Sequence, residues 1–197
     1  MLPGVYTATK KDGTIYYRSS ITYQNKHISL GSYASEDTAN QAYQKADALL
    51  RDPSVSFEHA LAHRGVLSFD KTVTLMNFRD NGVYIKTPIY LRRNYFEYFL
   101  SPTLILKFDI DDLFYYSSHR IQKRGGHLFV SDYGMQYNIL SRYGIKSHGV
   151  PGKDFRFVNE DFSDYRYSNI MIINPYAGVN MPVSYTHLRA HETGAYL

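Results

Sequence analysis

Between Gly4 and Leu50 the hydrophobic pattern changes its period once. Tyr17, Ser19, Ile21 and Tyr23 alternate with Arg18, Ser20 and Thr22, the signature of a strand with one face in and one face out. Strand-like runs precede and follow it, so three strands are expected before Gly31. Asp12-Gly13 supplies the first turn, because glycine tolerates positive φ, and Gln24-Asn25-Lys26 supplies the second. Ser35 is then placed to cap a helix, with Glu36 and Asp37 at its positive end. Ala39, Ala42, Tyr43, Ala46, Leu49 and Leu50 recur at helical steps and line one face of it. The expected unit is a three-stranded antiparallel sheet packed on one helix, with the other sheet face polar and open.

Arg51-Asp52-Pro53-Ser54 stops the helix, since proline lacks a donor and disfavours helical geometry before it. Residues 53–70 read as a linker, with a short helix around Phe57 to Leu61. His59 and His63 are spaced for one helical face, but a metal site needs more ligands, so they read as ordinary surface histidines. From Lys71 the character is strand-rich. Val73 to Phe78 and Val83 to Ile85 flank Arg79-Asp80-Asn81-Gly82, where Asn-Gly signals a hairpin. Ile89 to Leu100 is aromatic, and Leu104 to Phe108 reads as a short buried strand. Asp109, Asp111 and Asp112 lack the glycine and glutamate of a calcium loop and read as a strand end or helix start. Tyr115 to Lys123 and His127 to Ser131 flank a second hairpin turn at Arg124-Gly125-Gly126. Arg120, Lys123 and Arg124 there have two readings, a solvated turn or a phosphate contact.

Composition narrows the function classes. The 197 residues contain no cysteine, which removes disulfides, thiolate nucleophiles and cysteine-ligated zinc, and fits a reducing compartment. Met1-Leu2-Pro3 leads straight into a strand and no apolar run approaches the length of a membrane span, so a cytoplasmic protein is expected. The formal net charge of +4 permits a polyanionic partner without requiring one. The 20 Tyr and 11 Phe, with no Trp, are read chiefly as strand formers that rim a core.

Gly4-Val5-Tyr6, the spacing from Tyr17 to Ile21, Leu30-Gly31-Ser32-Tyr33 and the Ala-rich helix with Ala42-Tyr43 and Ala46 resemble the DNA-binding domain of the APETALA-two and ethylene-response-factor family. The resemblance covers residues 4–50. It implies that the open sheet face lies in a major groove, with double-stranded DNA as partner. Carried over, the groove-facing residues are Tyr6, Ala8, Lys10, Ser20, Thr22, His27 and Ser29, and Arg18 shares their face. Lys10, Lys11, Arg18 and Lys26 are expected to contact the DNA backbone.

Residues 150–173, VPGKDFRFVNEDFSDYRYSNIMII, resemble the core of HNH homing endonucleases. Asn159, Asp161, Asp164, Arg166, Asn169 and Ile170 stand at matching places. The family's Asp-His pair falls on Arg156-Phe157, Glu160 replaces the turn glycine, and Tyr165 replaces the middle asparagine. HNH hydrolysis needs a histidine base and a divalent cation, and phenylalanine supplies neither proton acceptor nor ligand. The resemblance therefore implies a retained scaffold, with Asp161, Asp164, Arg166 and Asn169 as structural remnants and with no catalytic residue, metal or cofactor. Residues 184–197 change character abruptly. His187 and His191 sit at helical spacing with Glu192, yet Leu188 stands where a metalloprotease needs its glutamate, so this stretch reads as a non-native tail.

The fold expectation is α+β, with a sheet-and-helix domain at 1–52, a linker at 53–70 and a strand-rich, HNH-derived domain at 71–183. The functional expectation is weakly specific binding of double-stranded DNA without catalysis, in a mobile-element setting. The alternatives are an active nicking endonuclease and a protein-interaction module.

Overall fold

The structure is a computed structural model that describes residues 2–146 and 149–174. The expected tail at 184–197 lies outside the described residues. Strands β1 (Val5–Thr9), β2 (Ile15–Tyr23) and β3 (Lys26–Tyr33) form an antiparallel sheet in chain order. Gln24 and Asn25 turn β2 into β3 with φ of +46° and +60°, the hand that suits a two-residue hairpin. Helix α1 (Glu36–Arg51) follows, and Ser35 Oγ accepts from Thr38 N at 3.2 Å. It packs Ala42, Ala46, Leu49 and Leu50 against Ile21, Ile28 and Leu30 of the sheet. The chain enters β1 hard against this helix. An added Cβ at Gly4 would lie 2.0 Å from the Tyr43 ring, and φ there is +70°, so only glycine fits.

The short helix expected around Phe57 to Leu61 is α2 (Phe57–Ala62), and Phe57, Ala60 and Leu67 are buried in the same core as Ile21 and Leu49. The segment after it overturns an expectation. Val73 to Phe78 is not a strand but the middle of α3 (Phe69–Asn81). Ser68 caps its start, and Gly82, left-handed at φ +71°, caps its end by donating to the Phe78 carbonyl. Asn81-Gly82 is thus a helix stop rather than a hairpin turn. Every residue from Thr72 to Phe78 is buried, so the segment has no polar face to display a helical period.

Buried polar groups on α3 fasten its neighbours. Arg79 Nη1 donates to the carbonyls of Leu49 at 3.1 Å and Asp52 at 2.8 Å, Nη2 donates to that of Val55 at 2.8 Å, and Nε meets Asp80 at 2.6 Å. Asn77 donates to the Val83 carbonyl and accepts from Leu91 N, both at 2.8 Å.

A second antiparallel sheet follows, of β4 (Ile89–Leu91), β5 (Tyr95–Ser101) and β6 (Leu104–Asp109). Tyr115 and Tyr116, expected to open a strand, belong to the single helical turn α4 (Leu113–Tyr116). The third sheet holds β7 (Ile121–Arg124), β8 (His127–Asp132) and β9 (Met135–Asn138), and β10 (Phe155–Phe157) pairs with β11 (Ile170–Ile172). The second core is largely aromatic, with Phe96, Tyr98, Phe108, Tyr116, Phe155 and Tyr165 inside. Burial pushes the Tyr98 phenol up to about 12, and its oxygen accepts from Ile121 N at 3.0 Å. The chain is therefore α+β, built of several small antiparallel sheets and few helices. Among the described residues no helix is long and apolar enough to cross a membrane.

Arg79→Ala strips a charged donor from three carbonyls, one in the last turn of α1 and two in the chain just after it, and should lower stability by about 3 kcal/mol. Urea denaturation measures this; a loss within about 0.5 kcal/mol would mean the guanidinium is not the tie described.

Candidate functional site

The sheet β1–β3 has two unlike faces, and its register decides which residue belongs to which. Val5, Ser19, Ile21, Ile28 and Leu30 point to α1 and are buried. Tyr6 pairs with Arg18, Thr22 with His27 and Ser20 with Ser29, so these six side chains share the opposite face. Tyr6, Arg18, Thr22, His27 and Ser29 are exposed there, with no helix or sheet laid over them. Arg18 is steadied by Tyr16, whose hydroxyl accepts from Nη2 at 2.7 Å. Lys10 and Lys11 are exposed beside this face, in the turn between β1 and β2. His27 Nδ1 lies 3.5 Å from Thr22 Oγ1.

Two expected members are placed differently. Lys26 pairs with Tyr23 and shares its face, where Tyr23 packs on Phe78 and the Lys26 ammonium sits 5.5 Å from the Tyr84 ring. The turn comprises Gln24 and Asn25 alone, and taking Lys26 as part of it inverts the parity of that side chain. Ser20 lies on the open side but is only 7 % exposed, and its hydroxyl has no hydrogen-bond partner. A bulge lies beside it: Ser19 faces Gly31 and Ser20 faces Ser29, which leaves Leu30 unopposed.

Ser20 borders a half-open cavity of about 270 Å³ whose other walls include Tyr6, Thr22, His27, Tyr43, Asp47 and Arg51. The last three are an i, i+4 series on α1, a spacing that places them on one helix face. Asp47 Oδ1 accepts from Arg51 Nε at 2.6 Å. Sequence reading missed these residues, because α1 was taken only as backing for the sheet.

Arg120, Lys123 and Arg124 lie apart from this face, on the β7–β8 hairpin and just before it. Arg120 is paired with Asp70, while Lys123 and Arg124 are exposed and form no ion pair among the described residues. Lys123 also borders an apolar cavity of about 360 Å³ between this hairpin and Phe155, Phe157 and Phe162.

The expected structural residues of the C-terminal part converge in one turn between β10 and β11. Asp164 is fully buried and is held by Arg166 through both oxygens, at 2.9 Å from Nε and 2.6 Å from Nη2. Asn159 Nδ2 adds a bond at 3.2 Å. Asn169 donates to the Asp164 carbonyl at 2.8 Å and accepts from Asn159 N at 2.8 Å. Asp161 meets Lys107 of β6 at 3.0 Å and accepts from Ser163 N at 3.0 Å. Main-chain bonds of 2.9 Å and 2.8 Å tie Ser163 and Tyr165 to Lys107. Phe157 is packed against Phe155, Phe162 and Tyr165, and Arg156 beside it is exposed. Among the described residues no group of three His, Asp or Glu side chains is arranged to hold a metal ion.

Hydrogen bonds from Ser163, then from Lys107, hold the Asp161 carboxyl down at about 2. Burial alone would raise Asp164, but the bonds and charge of Arg166, with Asn159, bring it below the usual carboxylate range. Comparison with protein-family models, with curated proteins and with solved structures gives no match.

Both acids have folded values below the ordinary 3.8, so the stability they add is present above that pH and is lost as pH falls toward 2. In Asp164→Asn, which keeps the shape and loses the charge, unfolding free energy should fall less steeply between pH 4 and 2 than in the parent. Identical slopes would show that the Asp164–Arg166 pair contributes nothing.

Proposed function

We propose that this chain binds double-stranded DNA with little sequence specificity through the open face of β1–β3, and does not cut it. The observation that carries the reading is that face itself. Its hydroxyl, imidazole and guanidinium groups point away from the core, its far side is backed by α1, and nothing described in the fold covers it. A small sheet of this width fits a major groove. Lys10, Lys11 and Arg18 supply positive charge at one end of it, suited to phosphates rather than to base edges. With one arginine on the face, bidentate readout of guanine is confined to a single position, which favours backbone-dominated binding.

Lys123 and Arg124 offer a second phosphate contact on the C-terminal part. Arg120, held by Asp70, and Lys26, on the other face, are secondary to it. Kinship with the APETALA-two type domain and with HNH proteins belongs to the same proposal. The absence of cutting rests on Phe157, whose ring occupies the core where an HNH protein needs its base.

If about four to six phosphates are neutralised, the logarithm of affinity for random duplex should fall against the logarithm of salt with a slope of about −4 to −5. Arg18→Glu together with Lys10→Glu should flatten that slope by about 2 and weaken retention on every sequence alike. Binding indifferent to salt, or unchanged in the double variant, would favour a protein-interaction module instead. Supercoiled plasmid with Mg²⁺ or Mn²⁺ should stay intact; nicking that disappears in Asp164→Ala would make the chain an endonuclease.

A further inference from the structure

The apolar cavity between the β7–β8 hairpin and the C-terminal turn has no part in the DNA-binding reading. Its volume of about 360 Å³ lies at the small end of the roughly 300–1,000 Å³ of small-molecule sites, which are likewise apolar with few polar groups. The buried Leu106, Ile139, Phe155 and Phe157 form part of its wall, and so does Phe162, which is 69 % exposed. An apolar guest that took this surface out of water would be favoured. Phe157 meets Phe155, Phe162 and Tyr165 at 68°, 72° and 85°, so these rings form no parallel slot for a flat ligand. A flexible chain conforms to such walls.

Charge decides the other end of the occupant. Among the described residues no aspartate or glutamate lines the cavity, while Lys123 does. Lys123 pairs across the hairpin with Leu128, as Ile121 does with Val130. Residues two apart on a strand share a face, so Lys123 lies on the side of the hairpin that carries the buried Ile121 and Val130. It is exposed and forms no ion pair among the described residues. His127 also borders the cavity, but pairs with Arg124 on the other face of the hairpin. An uncompensated ammonium beside an acid-free apolar recess suits an anionic head on an apolar body.

We propose that this cavity binds a straight-chain aliphatic monocarboxylate of medium length, its chain among the Leu and Phe side chains and its carboxylate at the Lys123 ammonium. The inference stands apart from the DNA-binding reading. Lys123 enters both, so the titration is made without nucleic acid.

The test is titration of the full chain with butanoate, hexanoate, octanoate and 1-octanol, followed by calorimetry or NMR. Affinity should rise about fourfold for each methylene added up to octanoate, the burial free energy of one CH₂ expressed as a ratio. Octanol, which has the chain without the charge, should bind about fivefold less tightly than octanoate, the worth of one partly exposed ion pair. Lys123→Gln should remove that difference and leave octanol affinity as it was. Phe162→Ala should weaken octanoate and octanol alike. Both side chains are exposed, so the melting temperature of either variant should match the parent's, and lost affinity could not be ascribed to lost folding. Affinity independent of chain length, octanol bound as tightly as octanoate, or octanoate affinity retained in Lys123→Gln would overturn the assignment.

Discussion

The guanidinium of Arg79 ties down the end of the first helix, and the chain that follows is positioned from that point. The last carbonyls of a helix have no partner of their own. In α1 one of them, that of Leu49, is taken by a side chain from α3, which also holds the carbonyls of Asp52 and Val55 in the chain leading to α2. One planar, permanently charged group with several donors can do this where a lysine could not. α1 is pinned at that end, its Tyr43 lies against Gly4, and its Ala42, Ala46, Leu49 and Leu50 cover the inner sheet face. The opposite sheet face is thereby left outward.

The same tie explains why the expected boundary near residue 52 does not divide the cores. Phe57, in the short helix expected there, and Leu67 sit with Leu49 and Phe78 in one cluster. A second cluster, from Ile85 to Tyr165, is joined to it through β5, whose Phe99 faces the first core and whose Phe96 and Tyr98 face the second.

The sheet and α1 were legible because their signals are local: alternation in β2, a serine cap, alanines at helical spacing. Helix α3 was not, because a helix buried on all sides loses the contrast that reveals its period, and Val73, Thr72 and Thr74 are β-branched residues that favour strands when propensity alone is weighed. Its true markers were Ser68 and Gly82, a cap at each end, and Asn81-Gly82 serves a helix stop as well as a hairpin. The candidate face was mostly legible from the same alternation. Lys26, read as part of the turn, opens β3 instead, and the recess at Ser20 depends on α1 reaching around the edge of β2, which no pattern within β2 can announce.

What distinguishes the C-terminal turn is where its acidic groups spend their hydrogen-bonding capacity. Asp164 is committed to Arg166 and Asn159, and Asp161 to Lys107 and Ser163. A carboxylate closed off by a guanidinium on both oxygens is a strut, since a divalent cation would have to displace that pair from a buried position. The turn therefore clamps β10 and β11 to β6 through Lys107, adding polar bonds to the apolar contacts that Phe155, Phe157 and Tyr165 make with the second core. Such a strut explains by itself why aspartate, arginine and asparagine stand at these places, with no need of a reaction to account for them.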